Sequence, residues 1–172
     1  RSANFPVVNG LQTVRKGVED SFITKLSPDG SAILYSTYLG SSLAEDGVGV
    51  VADDSGLVYT AGATQFSDFP VTAGAYQSTN AGGTTDAYVS VLDTNLSGTA
   101  SLIYSTFFGG SGGTEFPLGI AIDAAGKVYL FGDTRSTTGF PVTAGAFQTT
   151  FAGGISDSFV AKFDPTQSGA AS

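Results

Sequence analysis

The protein has 172 residues, a length that suits one domain or part of one. Hydrophobic residues make up 41% and charged residues only 13%, a balance that excludes the composition of disordered chains. The formal net charge of −8 repels phosphate backbones and anionic lipids, and no apolar run is long enough to cross a bilayer. We therefore expect neither nucleic acid binding nor membrane insertion.

Nine short strands are predicted in three groups along the chain. The groups have two, four and three strands, at residues 20–26 and 32–39; 47–53, 57–62, 86–93 and 101–108; and 118–123, 127–132 and 157–163. Turns of the form Asp-x-x-Gly follow the first strand of each later group, at 53–56 and 123–126. Asp53–Gly56 and Asp29-Gly30 also resemble pieces of calcium loops, but turns in which Asp accepts backbone N–H groups are the favoured interpretation.

A segment that begins with Phe-Pro occurs three times. Residues 69–77 read FPVTAGAYQ, residues 140–148 read FPVTAGAFQ, and a diverged copy, FPVVNGLQ, spans residues 5–12. The copies start 64 and 71 positions apart, which indicates that one structural unit is repeated along the chain. Such units bury their apolar faces by stacking on their neighbours.

Apolar residues occupy both faces of several predicted strands. In the strand at 86–93, Tyr88 and Leu92 lie on one face and Val89 and Val91 on the other, which is typical of a sheet covered on both sides. We therefore predict an all-β fold, a β-propeller with blades of four antiparallel strands. A single partial propeller would span residues 1–172, with a partial blade at 18–40, a full blade at 47–108 and a partial blade at 118–164 that lacks its last strand.

Several sequence strings together resemble the SBBP repeat, a β-propeller repeat found mostly in large exported or surface proteins of bacteria. They are LIYSTFFGGSGG (102–113), GIAID (119–123), KVYLFGDT (127–134) and DSFVAKFDP (157–165). The resemblance covers nearly the whole chain and implies a propeller in a secreted, cell-surface or periplasmic location. It implies no activity, because the family has no shared catalytic residues. The loop after the fourth strand departs from the family pattern, with SSLAED at 41–46 and SGGTEF at 111–116.

Nine strands amount to about two and a quarter blades, whereas closed propellers have about four to eight. Unpaired strand edges are templates for pairing with other chains. We expect the edges at 22–26 and 159–163 to be covered by protein partners, by further copies or by sequence outside this chain. Five side chains are expected to be largely buried between blades: Tyr59, Phe107, Ile120, Tyr129 and Phe159.

Acidic residues in equivalent loops are the candidate metal ligands, and calcium is the cation that they would suit: Glu45, Asp46 and Glu115. An ordinary solvated loop is the favoured interpretation, and neutral amides at all three positions are then expected to leave folding intact. The Asp that opens each third strand recurs once per blade, which favours a structural turn cap over a catalytic role: Asp20, Asp86 and Asp157.

The long connections around 65–85 and 135–156 are the predicted place for a ligand or partner surface, because long connections are often functional. The candidate residues are the aromatic residues and prolines of the two closely matching segments: Phe69, Pro70, Tyr76, Phe140, Pro141 and Phe147. The alternative is that these residues anchor each connection on its own blade. Anchoring is favoured, because the same aromatic spacing in each copy suits packing within each copy.

The chain has no His and no Cys, which excludes Ser-His-Asp triads, thiolate nucleophiles and thiolate metal sites. A glycosidase-type carboxylate pair would remain, but no asymmetric pair stands out against the repeat. We therefore expect no enzyme, no catalytic residue and no cofactor. The favoured function is a non-enzymatic structural or protein-interaction module of an exported scaffold or larger multi-chain assembly. The alternative is a carbohydrate-binding or adhesive module at the cell surface.

Overall fold

The computed structural model describes residue 2 and residues 4–172. The fold is all-β, with nine strands: β1 (Ser21–Leu26), β2 (Ile33–Leu39), β3 (Glu45–Ala52), β4 (Leu57–Thr64), β5 (Asp86–Asp93), β6 (Leu102–Phe108), β7 (Glu115–Ile122), β8 (Val128–Thr134) and β9 (Asp157–Phe163). Short 3-10 helices at Gly98–Ser101 and Gly169–Ala171 are the helical elements of the described residues. Neither of these is long and apolar enough to cross a membrane.

The strands form three antiparallel sheets, none of them closed. The first sheet contains β1 and β2, the second has the order β3-β4-β5-β6, and the third has the order β7-β8-β9. Neighbours in each sheet are neighbours in sequence, so hairpins and longer connections join adjacent strands. The nine predicted strands and their division into groups of two, four and three are confirmed.

The first strand of each later sheet begins earlier than predicted. β3 starts at Glu45 rather than at residue 47, and β7 starts at Glu115 rather than at residue 118. The extra residues pair with extensions of β4 and β8, with Glu45 opposite Thr64 and Glu115 opposite Thr134. No turn motif marks these starts in the sequence, and each glutamate accepts a hydrogen bond from the threonine opposite it, 19 positions later.

Aspartate side chains organise the hairpin turns. Asp53 Oδ1 accepts the N–H groups of Ser55 and Leu57 at 2.9 and 3.1 Å, and its Oδ2 accepts the hydroxyl of Tyr59 at 3.0 Å. Gly56, with φ of 95°, closes the turn in a conformation that suits glycine. The turn interpretation of these residues is confirmed, and Asp123 accepts equivalent bonds in the third sheet.

Two apolar clusters join the sheets face to face. The cluster between the first and second sheets includes Ile23, Tyr35, Tyr88, Leu92 and Phe107. The cluster between the second and third sheets includes Tyr59, Val89, Val91, Leu130 and Phe163. The second sheet is therefore covered on both faces, and the two predicted faces of β5 pack against different neighbours.

The expected core is confirmed at Tyr59, Phe107 and Phe159, which are all buried. Ile120 packs, partly buried, against the cluster between the second and third sheets, as expected, whereas Tyr129 is half-buried outside that cluster. Tyr59 faces the third sheet, whereas the equivalent Tyr129 lies on the face of the third sheet that no other sheet covers. Its hydroxyl donates to Asp123, and the Lys162 ammonium lies 4.9 Å from the centre of its ring.

Candidate functional site

In terms of blade positions, β1 and β5 are third strands, and β2 and β6 are fourth strands. Each of these fourth strands lies between its third strand and a Phe-Pro segment. In the second sheet, Thr72 N–H donates to Ser105 O at 3.1 Å, and Phe107 N–H donates to Gln77 O at 3.1 Å. In the first sheet, Ser36 N–H donates to Val8 O at 2.8 Å. β2 and β6 are thus held on both of their edges, once by the sheet and once by the connecting segment.

Aromatic rings from these three elements pack together in the second sheet. The Phe69 ring lies 4.4 Å from Tyr88 of β5 and 6.1 Å from Phe107 of β6, measured between ring centres. The first sheet repeats this triplet with Phe5 at 4.8 Å from Phe22 and 5.3 Å from Tyr38. A Phe-Pro segment, a third strand and a fourth strand each supply one ring.

The third sheet has only two members of the triplet. Phe140 packs on Phe159 at 5.1 Å, but the third sheet has no fourth strand to supply the third ring. In its place an open groove of about 760 Å³ lies beside β9, lined by Phe140, Phe159 and Phe163 together with polar residues of the 137–150 connection. Ser172 also lines this groove, at the position that Ser101 occupies directly before β6. We call this cavity the β9 groove.

The six predicted surface residues divide between packed and exposed positions. Phe69 is buried, Pro70 is half-buried, and the Tyr76 ring lies 6.1 Å from Phe108 and 6.3 Å from Phe163. Phe69 and Pro70 contact their own sheet, as the anchoring interpretation expects, whereas Tyr76 is 36% exposed and also contacts the third sheet. Of their copies, Phe140 and Pro141 line the β9 groove, and Phe147 is fully exposed at 107%.

A glutamine in each Phe-Pro segment binds the end of the fourth strand. The Gln77 N–H donates to Thr106 Oγ1 at 2.9 Å, and Gln77 Oε1 accepts from Gly109 N–H at 3.2 Å. Gln12 makes the same two contacts in the first sheet, at 2.9 and 2.7 Å. The third copy, Gln148, is held by bonds from its Nε2 to Thr150 O and Asp157 Oδ2 at 3.0 and 2.7 Å. Its Oε1 faces no fourth strand.

A pair of buried carboxyl groups lies where the second sheet meets the third. Asp86 opens β5 and Glu115 opens β7, and both residues are completely buried. Thr134 Oγ1 donates to Glu115 Oε1 at 2.8 Å, Gly110 N–H donates to its Oε2 at 3.3 Å, and Ala81 N–H donates to Asp86 Oδ2 at 2.6 Å. Among the described residues, Asp86 Oδ1 has no hydrogen-bond donor.

A proton shared by this pair would supply the missing donor, because a protonated carboxyl group can donate to a neighbouring carboxylate. Burial raises the pKa of Asp86 to about 7, and the charge of Glu115 and the bond to it add to the rise. Burial also raises the pKa of Glu115, against hydrogen bonds from Thr134 and the Gly110 N–H. Two carboxyl groups that share a proton carry one negative charge, which the surrounding donors stabilise.

The first and second sheets meet at an equivalent pair. Glu45 accepts bonds from the hydroxyls of Ser41 and Thr64, and from Ser41 N–H at 2.8 Å. The carboxyl group of Asp20 lies close to that of Glu45, since both adjoin Gly40. A Cβ added to Gly40 would be 2.6 Å from an atom of each carboxyl group. Burial raises the pKa of Glu45, and the charge of Asp20 adds to the rise.

The predicted solvated loop is therefore wrong for Glu45 and Glu115, which are 4% and 0% exposed, and right only for exposed Asp46. Their burial also removes the basis for expecting harmless amide replacements at both glutamates. The two are equivalent copies, 70 positions apart, each followed 19 positions later by the threonine that binds it. That shared spacing was the signal that sequence reasoning missed.

The candidate metal site does not assemble. Glu45 and Glu115 open different sheets, and no group of three or more His, Cys, Asp or Glu residues in the described part of the chain is placed to hold a metal ion. Each glutamate instead faces one aspartate of the recurring set, Asp20 or Asp86. The third member, Asp157, is half-buried and accepts bonds from Ala152 N–H and Gln148.

Comparison with known proteins adds no family assignment. A scan against models of protein families finds no match, and a search of curated proteins finds none either. The repeat, the stacked sheets and the β9 groove are therefore the features from which a function can be inferred.

Proposed function

We propose that the chain is a portion of a β-propeller of the SBBP type, and that it serves as a non-enzymatic structural or protein-interaction module in an exported, multi-chain assembly. The stacked antiparallel sheets with sequential strand order support the propeller part of this proposal. The resemblance of the repeat supports the exported setting.

One observation carries the interaction function: the outer edge of β9 is unpaired beside a groove that is filled in the other two sheets. Exposed apolar residues lie along this edge and its surroundings, including Val160 at 72% exposed, Val142 and Phe147. Phe22 and Leu26 are also exposed on β1, which pairs with β2 alone among the named strands of the described residues. Edges of this kind pair with further strands unless charge or cover prevents it.

Light scattering coupled to gel filtration tests this proposal. The isolated chain is expected to associate as its concentration rises, because two apolar strand edges are uncovered. Leu26→Lys and Val160→Lys each place a charge on an edge and should reduce association, whereas Leu96→Lys, in an exposed turn, is the matched control. A stable monomer at all concentrations would contradict the proposal.

A glycan array separates this function from the alternative of a carbohydrate-binding module. Proteins that bind sugars use exposed aromatic rings and polar loops, and Phe147 is the most exposed ring among the described residues. An interaction module is expected to give no signal that depends on Phe147. Binding to a defined glycan that Phe147→Ala abolishes would favour the carbohydrate function instead.

A further inference from the structure

We propose that the buried pair of Asp86 and Glu115, together with the hydroxyl of Ser136, binds a calcium ion between the second and third sheets. Asp86 opens β5 and Glu115 opens β7, so one ion at this place would join the two sheets. The site differs from the predicted set of Glu45, Asp46 and Glu115, whose two glutamates open different sheets. Calcium binding here is independent of the proposed interaction function.

Two buried polar atoms without a partner belong to this site. In the described part of the chain, Asp86 Oδ1 and Ser136 Oγ are the buried side-chain oxygens or nitrogens that have no hydrogen-bond partner. Asp86 is 0% exposed and Ser136 is 2% exposed, so bulk water does not reach them. Buried polar groups nearly always have a partner, and two such oxygens at one junction of sheets point to a bound polar ligand.

Both atoms lie beside the carboxylate of Glu115. A Cβ added to Gly109 would be 2.4 Å from Asp86 Oδ1 and 2.5 Å from Glu115 Oε2, so these two oxygens border the same space. Thr134 Oγ1 accepts the N–H of Ser136 at 3.0 Å and donates to Glu115 Oε1 at 2.8 Å. Burial raises the pKa of Glu115 and the Ser136 hydroxyl lowers it, so this hydroxyl acts on the carboxylate without a hydrogen bond to it.

The equivalent pair between the first and second sheets has no free carboxyl oxygen. Backbone N–H groups donate to the two carboxyl oxygens of Asp20 at 2.8 and 2.9 Å, and Glu45 accepts bonds at both of its oxygens. The position equivalent to Ser136, 70 residues earlier, is Phe66, which is 45% exposed. Since the packing is repeated at both junctions, the free oxygens of the second junction are not a requirement of the fold.

The charge and the donor atoms of the site match calcium. The pKa of Asp86 is set by burial, the Ala81 N–H and Glu115, so no positively charged side chain contributes to it. An ionised pair therefore carries two negative charges that a divalent cation would balance. Calcium takes oxygen ligands in irregular geometry, with water completing its shell, whereas magnesium demands a regular octahedron. Calcium and a shared proton are alternative occupants, because each reduces the repulsion between the two carboxylates.

Thermal denaturation followed by circular dichroism tests the proposal. The parent chain is first freed of metal by a chelator and then heated at pH 7.5 with increasing calcium chloride. Two carboxylates and one hydroxyl should give a dissociation constant on the order of 10⁻⁴–10⁻³ M. About 10 mM calcium should then raise the thermal midpoint by about 3–10 °C. Magnesium should raise it by less than half as much, and sodium chloride of equal ionic strength controls for screening of the net charge.

A matched pair of aspartate variants locates the ion. Asp86→Asn removes one charge from the site and should abolish the calcium shift. Asp20→Asn changes the equivalent aspartate, whose oxygens already have donors, and should keep a shift within about 1 °C of the parent value. Ser136→Ala should weaken calcium binding about threefold to tenfold while both carboxylates remain. If Asp86→Asn fails to fold, Ser136→Ala and calorimetric titration of the parent chain provide the test.

Three results would overturn the inference. An unchanged midpoint, together with no heat of binding in the calorimeter, would leave the shared proton as the occupant of the pair. An equal shift in calcium, magnesium and sodium would reduce the effect to charge screening. A shift that Asp86→Asn and Ser136→Ala retain, or that Asp20→Asn removes, would place the ion elsewhere.

Discussion

Replacing Asp86 by asparagine should make the protein insensitive to pH in the range where the parent chain loses stability. Asp86 and Glu115 lie together in a buried site, where a proton shared by the two carboxyl groups would satisfy Asp86 Oδ1. When that proton leaves, two buried carboxylates repel each other. The amide of Asp86→Asn has nearly the same shape, keeps an acceptor for Ala81 N–H, and donates permanently to Glu115.

The size of the effect follows from the pKa of Asp86. In the unfolded chain the ordinary value of 3.8 applies, and in the fold the pKa rises to about 7. At 1.36 kcal/mol per unit, this rise corresponds to about 4 kcal/mol of stability that is present below pH 3.8 and lost as pH rises through 7. Between pH 5.5 and 8.5, the parent chain should lose about 2 kcal/mol in its free energy of unfolding.

Urea denaturation followed by far-ultraviolet circular dichroism at pH 5.5, 7 and 8.5 measures this loss. The chain has no His, so no side chain of ordinary pKa titrates in this range. The Asp86→Asn variant should lose less than about 1 kcal/mol over the same range. Asp157→Asn is the matched control, because Asp157 opens β9 as Asp86 opens β5 but is only half-buried.

Either of two outcomes would contradict a shared proton in the buried pair. The first is a parent chain that is equally stable, or more stable, at pH 8.5 than at pH 5.5. The second is an Asp86→Asn variant that loses as much stability as Asp157→Asn. In both cases the buried pair would not hold a proton in the folded state at neutral pH.

Three further predictions concern packing and charge. Phe159→Ala should lower the free energy of unfolding, measured by urea denaturation, by about 3–4 kcal/mol. Val160→Ala changes a residue on the exposed side of β9 and should lower it by less than about 0.5 kcal/mol. Gly109→Ala should cost at least about 2 kcal/mol, because its Cβ would clash with the acidic pair, while Gly119→Ala, with open space around the new Cβ, should cost less than about 0.5 kcal/mol. A hydrogen bond from Lys127 lowers the pKa of Asp164 to about 2, so the stability of the parent chain should fall as the pH drops from 4 to 2. The thermal midpoint of Asp164→Asn should fall less over that range than the midpoint of the parent chain.

The strands and turns were predictable because their signals are local. An Asp-x-x-Gly turn identifies a hairpin within four residues, and the Asp53 turn forms the hydrogen bonds that its sequence predicts. The repeat then extends each assignment to its copies. The opposite faces of β5 were also readable, since alternation along one strand assigns Tyr88 and Val89 to different sides.

The acidic pairs were not predictable by the same means. Burial of Glu115 requires the start of β5 and the end of β8 to meet the start of β7, and Asp86 and Thr134 are 29 and 19 positions from Glu115. A single glutamate in a segment that looks like a loop is usually exposed to solvent. This general tendency predicts exposure for Glu45 and Glu115, which are buried. Similarly, only the three-dimensional arrangement separates the packed Phe69 from its copy Phe140 beside the groove.

The end of the fourth strand connects the acidic pairs with the β9 groove. Gly109 follows β6 directly and lies against Asp86 and Glu115, while its N–H donates to Gln77. A fourth strand therefore does two things when it is in place: it completes the aromatic triplet and it covers the aspartate that opens its neighbour. In the third sheet the corresponding aspartate is Asp157, which is half-buried and accepts bonds from Ala152 N–H and Gln148. Asp86 is completely buried, because Gly109 at the end of β6 and Glu115 at the start of β7 both lie against it.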